Sequence, residues 1–181
     1  MAALEAFGSG GLAAVAVEPL AKQLGTTKGS FYWHFPNREA LIGAALALWE
    51  QRSTSATIES LAAEVDPAAR LRLLFTRVSG YAGQSRVEAN LLAAADHELV
   101  APVLRRVVER RIAYVVGLFV EVGFPRAEAV RRGALAYAAY VGHDELAARL
   151  PGALPVHGAT GLARYVDSVL DLLLRDAPGR S

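Results

Sequence analysis

Two short helices separated by a glycine limit what this chain can fold into more than any other part of its sequence. The first helix is predicted from apolar residues at i, i+3, i+4 and i+7, a spacing that places them on one helical face. These residues are Val17, Leu20, Ala21 and Leu24.

The turn and the second helix follow directly. Gly25 lies where a helix usually ends, because glycine adopts the left-handed conformation without steric cost. Thr26 and Thr27 offer an N-cap for a helix that starts at Lys28. This arrangement predicts a helix-turn-helix, in which the second helix enters the major groove of DNA.

The second helix is predicted to have one buried face and a broad outer face. Phe31 and Phe35 are four residues apart and should face the same core. The residues left for the outer faces are Lys28, Gly29, Ser30, Tyr32, Trp33 and His34. The alternative is that the last three are ordinary core aromatics. A short helix cannot bury all of its aromatic side chains on one face, so we favour contact with phosphates and base edges.

Charge is concentrated in the same region. Residues 21–38 contain Lys22, Lys28 and Arg38 and no acid, whereas the formal net charge of the 181-residue chain is only +1. Contact with phosphates requires only a local positive strip of this kind. The absence of cysteine excludes disulfides, thiolate zinc sites and a cysteine nucleophile. We see neither a signal peptide nor an apolar run of about 20 residues, and so expect a cytoplasmic protein.

The rest of the chain reads as helix, which predicts an all-α protein of about nine helices. The hydrophobic content of 53% is sufficient for a packed core. The further helices are predicted at residues 2–7, 38–60, 67–83, 87–95, 101–122, 126–150 and 162–175, with a loop at 151–161. We expect a DNA-binding domain at residues 1–54 and a helical domain for ligand binding and dimerisation at residues 55–181.

The run LAKQLGTTKGSFYWHFPNREAL at residues 20–41 resembles the DNA-binding signature of the TetR (tetracycline-repressor-like) family of transcriptional regulators. The resemblance implies a homodimer that binds a palindromic operator, most often as a repressor, and releases it when a ligand occupies the C-terminal domain. It also implies roles for single residues. Thr27, Lys28, Gly29, Ser30, Tyr32, Trp33 and His34 would lie on the recognition helix, and Arg38 would bind phosphate.

The chain departs from the family pattern in two places. The family usually has a threonine just before the first motif helix, where this chain has Val15 and Ala16. The family also has a longer N-terminal arm, so the native chain starts upstream or the protein binds DNA without an arm. These departures leave an alternative open, namely a small helical ligand-binding protein or enzyme that has lost DNA binding.

The C-terminal region gives weaker predictions. We expect a small apolar or aromatic effector, and the candidate lining residues are Phe75, Tyr81, His97, Phe119 and Tyr137. Helices near 126–150 and 162–175 should form the dimer interface, because residues 133–142 are rich in small side chains that let helices approach closely. The alternative is that these helices pack only within one chain. His143, Asp144 and Glu145 do not make a prepared metal or acid-base site, since neighbours on a helix point about 100° apart. We therefore predict no catalytic residue, metal or cofactor.

Overall fold

The computed structural model describes residues 1–80 and 86–178, and these ranges contain helices and no strand, which confirms the all-α class. The helices are α1 (Ala2–Ala14), α2 (Val17–Gln23), α3 (Lys28–His34), α4 (Arg38–Glu50), a π-helical segment (Gln51–Ser55), α5 (Ala56–Ser60), α6 (Pro67–Gly80), α7 (Val87–Ala93), α8 (Ala101–Glu121), α9 (Arg126–Arg149) and α10 (Gly158–Leu173). The segments from α4 to α5 are continuous in sequence. Counted as one helix, they bring the described helices to nine.

The chain divides into two compact units that do not follow a single cut in the sequence. One unit comprises Met1–Ala56 and Ser85–Val107, and the other comprises Thr57–Gln84 and Val108–Ser181. The predicted division after residue 54 placed all of the later helices together. In the structure α7 and the first part of α8 instead belong to the unit that contains the motif helices.

The first helix is longer than the sequence predicted. A helical fragment at residues 2–7 was expected to be ended by Gly8, Gly10 and Gly11. The helix passes Gly8, but helical geometry is lost at Gly10 and Gly11, where α1 kinks before its end at Ala14. Gly8 serves close packing instead, because a Cβ atom there would lie 3.2 Å from Cγ2 of Val87 on α7. A glycine within a helix can therefore mark the approach of another helix rather than an end.

Helix starts were predicted more accurately than helix ends. The side chain of Asn37 accepts a hydrogen bond from Ala40 N at 2.8 Å and caps α4, as expected. Asp66 Oδ2 accepts from Ala69 N at 2.8 Å at the start of α6. α10, however, begins at Gly158 rather than residue 162, within the stretch that we expected to be a loop.

The second unit has a continuous apolar core built from α6, α8, α9 and α10. Leu71, Phe75, Phe119 and Leu170 are among its buried members. Small residues on α9 allow it to pack closely, and Ala129 and Ala136 belong to the same core. Two of the predicted effector-binding residues, Phe75 and Phe119, lie in this core.

Candidate nucleic-acid interface

The first motif helix presents its predicted apolar face to the core of its unit. Val17, Leu20 and Ala21 of α2 are buried. Leu24 was expected to share that face, but 59% of its surface is exposed. The helix ends at Gln23 and Leu24 is its C-cap.

The turn between the motif helices has the predicted glycine geometry. Gly25 has φ +64°, which lies in the left-handed region that favours glycine. Thr26 N donates to the carbonyl oxygen of Ala21 at 3.0 Å, and this closes the end of α2. The turn thereby fixes the position at which α3 begins.

Thr27 is the N-cap of α3, as predicted. Its backbone is extended, and its Oγ1 accepts a hydrogen bond from Ser30 N at 3.1 Å. Gly29 leaves the first turn without a side chain, and a Cβ atom there would meet only Thr27 Oγ1 at 3.9 Å. The N-terminal turn of α3 is exposed, so its backbone N–H groups are accessible to a phosphate.

The faces of α3 are arranged as the sequence predicted. Phe31 is buried, and its ring centroid lies 5.3 Å from that of the half-buried Phe35. Trp33 is 84% exposed and Tyr32 is 43% exposed. His34 is exposed as well and meets the Trp33 ring edge-on at 5.2 Å. The interpretation of these three residues as core aromatics is therefore wrong.

Lys28 forms an ion pair that the sequence analysis did not identify. Its ammonium group contacts the carboxylate of Glu18, which lies in the first turn of α2. The hydrogen bond and the charge of Lys28 lower the pKa of Glu18, and the same two interactions with Glu18 raise the pKa of Lys28. In the sequence, the only indication that these two side chains could meet was that each lies in the first turn of a motif helix.

Arg38 has a structural role in addition to the phosphate contact implied by the family resemblance. Its Nε donates to the carbonyl oxygen of Val15 at 2.7 Å, and its Nη2 donates to that of Leu12 at 2.6 Å. Both carbonyls lie at the C-terminal end of α1, where a cation is favourable. The guanidinium group thus links α4 to the segment that leads into α2.

The predicted effector residues fall in different places. Phe75 and Phe119 lie in the core of the second unit, while Tyr137 is half-buried on α9 with its ring 5.9 Å from that of Tyr140. His97 belongs to the other unit, where its Nδ1 accepts a hydrogen bond from Leu99 N at 3.2 Å. Tyr81 lies outside the described residues.

His143 is buried on α9 and stacks on Tyr165 of α10, with ring centroids 4.9 Å apart and an interplanar angle of 20°. Burial lowers the pKa of His143, and its Nδ1 has no hydrogen-bond partner among the described residues. Within the described part of the chain, no group of three or more His, Asp or Glu side chains could hold a metal ion. No helix in these residues is long and apolar enough to cross a membrane.

Comparison with known proteins identifies the domain that contains this interface. Residues 1–45 match the model of the bacterial regulatory proteins of the tetR family. This N-terminal stretch, about a quarter of the chain, is therefore similar to the DNA-binding domain of that family. No curated protein matches the chain.

Solved structures extend the likeness in fold beyond residues 1–45. A transcriptional regulator from Rhodococcus sp. has a TM-score of 0.78 at 21% identity, over 97% of this chain and 94% of its own. The regulator FadR from Bacillus subtilis, solved in complex with stearoyl-CoA, has a TM-score of 0.67 at 17% identity, over 96% and 95%. A putative TetR-family regulator from Mesorhizobium loti has a TM-score of 0.68 at 20% identity, over 96% of this chain and 91% of its own. At these identities the likeness shows the fold alone.

Proposed function

We propose that this protein is a ligand-responsive transcriptional repressor of the TetR family that binds a palindromic operator as a homodimer in the cytoplasm. The observation that carries the proposal is the exposed face of α3, on which Tyr32, Trp33 and His34 point to solvent beside Lys28 and Ser30. Large aromatic side chains are costly to leave in water unless they meet a partner. A helix-turn-helix presents such a face to the major groove.

The proposed contacts on α3 differ in kind. Trp33 supplies apolar contact to a thymine methyl group, or an indole N–H to phosphate. Lys28, Tyr32 and His34 supply donors to phosphates, and the α3 N-terminus supplies backbone N–H groups. Arg38 has further guanidinium N–H groups beyond the two that bind Val15 and Leu12, so one phosphate contact is compatible with its structural role.

The proposed dimer interface uses an apolar stripe on α9. Leu135 is 61% exposed, and Ala138, Gly142 and Leu146 follow it at helical spacing on the same exposed face. On α10, Val166, Leu170 and Leu173 are buried in their own unit. These three side chains are therefore not available to a partner chain. The exposed Leu172 and the half-buried residues near it on α10 remain available for the interface.

The proposed effector is small and apolar or aromatic. Phe75 and Phe119 provide an apolar environment in the second unit. In the proposed mechanism the effector and the operator favour different spacings of the two motif domains, so each weakens the binding of the other. The protein itself has no catalytic role in this scheme.

Selection of bound duplexes from a random DNA pool tests the proposal directly. We expect the protein to enrich a palindrome whose half-sites lie about one helical turn apart or a multiple of it. Enrichment of a palindrome would support both DNA binding and twofold symmetry. Recovery of no common sequence, with binding no stronger than to random DNA, would contradict the proposal.

A further inference from the structure

The ion pair between Glu18 and Lys28 places a carboxylate on the surface proposed to meet DNA. Both side chains are well exposed, with 70% of Glu18 and 57% of Lys28 accessible to solvent. Glu18 lies in the first turn of α2 and Lys28 is the first residue of α3, so the pair spans the two helices of the motif. The contact is therefore set by the geometry of the motif rather than by neighbours along one helix.

Stability does not account for this pair. Exposed ion pairs contribute little to folding, because solvent screens the charges and both long side chains lose freedom. The turn is already fixed by Gly25 and by the bond from Thr26 N to Ala21 O. The main consequence of Glu18 is electrostatic, since it engages one of the three donors of the Lys28 ammonium group.

The ion pair between Glu18 and Lys28 affects the balance between DNA contacts to phosphate and DNA contacts to base edges. Contacts to phosphate add affinity for any sequence, whereas contacts to base edges discriminate among sequences. A lysine that is free to bind phosphate increases both the affinity and its salt dependence. A carboxylate beside that lysine opposes the approach of phosphates and can itself accept a hydrogen bond from cytosine N4.

We propose that Glu18 is a specificity-determining residue that weakens the contact of Lys28 with the phosphate backbone. The inference rests on the DNA binding proposed above. It assigns to Glu18 a reduction of binding to unrelated sequences, which leaves the exposed side chains of α3 to select the operator. The inference also gives a reason for the acidic residue that contacts one of the few cations of the motif.

The test compares Glu18→Gln with wild type by fluorescence anisotropy, on the duplex enriched from the random pool and on a shuffled duplex of the same composition. We expect Glu18→Gln to bind the shuffled duplex about fivefold more tightly. We also expect the slope of log K against log salt to steepen by about 1. The ratio of affinities for enriched over shuffled duplex should fall.

Two further variants separate this effect from a general change in charge. Glu39→Gln removes an exposed acid from the first turn of α4 and changes the net charge equally, so it should leave the ratio of affinities near that of wild type. In a Lys28→Gln background, Glu18→Gln should no longer increase the affinity for the shuffled duplex. Far-UV circular dichroism checks that each variant is folded.

The inference is overturned if Glu18→Gln and Glu39→Gln behave alike, or if the gain persists without Lys28, since Glu18 would then act by simple repulsion. Binding of the enriched duplex by wild type, with an unchanged salt slope in Glu18→Gln, rejects the inference and leaves the proposed function intact. Failure of wild type to enrich or bind any duplex rejects the proposed function, and the inference with it.

Discussion

The guanidinium group of Arg38 donates a hydrogen bond from Nε to the carbonyl oxygen of Val15 at 2.7 Å, across 23 positions of sequence. A second bond from Nη2 reaches Leu12 O at 2.6 Å. The two bonds fix the segment between α1 and α2 against the start of α4. They lie at the place where the family usually has a threonine, so the approach to the first motif helix is held by a side chain from another helix.

Replacing Arg38 with alanine should lower the free energy of unfolding by about 1–3 kcal/mol, because two carbonyl oxygens lose a charged donor. Urea denaturation followed by circular dichroism measures this. Arg105→Ala is the control, since Arg105 is exposed on α8. An equal, small effect of both substitutions would show that the bonds of Arg38 contribute nothing specific.

Replacing Trp33 with alanine should weaken operator binding by about 1–3 kcal/mol and leave stability nearly unchanged, because the side chain contacts solvent rather than core. Combination with Lys28→Ala should weaken binding further. Val65→Ala is a matched control, since Val65 is also 84% exposed. If the Trp33 variant binds the enriched duplex as wild type does, the assignment of α3 as the recognition helix is wrong.

Replacing Gly133 with alanine should destabilise the second unit by about 1–3 kcal/mol. A Cβ atom on Gly133 of α9 would lie 2.4 Å from Cγ2 of Val116 on α8, so the Val116 side chain or one of the two helices must move. Gly117→Ala is the control, because nothing lies within 4 Å of its Cβ position and the helix should gain up to about 1 kcal/mol. Thermal unfolding midpoints that move in the same direction for both variants would contradict this reading of the α8–α9 contact.

Acid should destabilise the second unit through His143. Burial lowers the pKa of this imidazole below its ordinary value of 6.5, so the unfolded chain takes up a proton at a pH where the folded protein does not. The free energy of unfolding should therefore fall as the pH decreases from about 6.5 towards the lower pKa of the folded state. Urea titrations between pH 8 and pH 5 measure the slope.

The variant His143→Phe keeps a ring against Tyr165 and removes the titrating group together with the unpartnered Nδ1. It should show a smaller loss of stability over this range than wild type does. His157→Asn, at an exposed position, should retain the wild-type slope. An unchanged slope in His143→Phe would assign the acid sensitivity to other groups.

Replacing Leu135 with glutamate should convert the proposed dimer into a monomer. An unpaired charge in the centre of an apolar interface is costly to desolvate, and the side chain is exposed in the single chain, so folding should not suffer. Light scattering at micromolar concentration gives the mass. Val120→Glu on α8 is the control at another exposed apolar position. A wild-type mass of one chain would reject the proposed dimer itself.

The local features of the motif could be predicted from sequence because each depends on a few neighbouring residues. Gly25 ends α2, Thr27 caps α3 and Asn37 caps α4, and in each case the signal is the conformational preference or the side-chain acceptor of one residue. The outward direction of Trp33 also followed from helical spacing. Asp66 marked the start of α6 by the same reasoning.

The roles of Gly8, Arg38 and Glu18 were decided only by the tertiary structure. Gly8 has the same helix-ending preference as Gly25, but α7 packs against it and α1 continues. Arg38 and Glu18 are cationic and anionic residues whose partners lie 23 and 10 positions away in sequence, respectively. A local pattern specifies the conformation of a few residues, whereas the partner of a long charged side chain depends on which helices the completed fold brings within its reach.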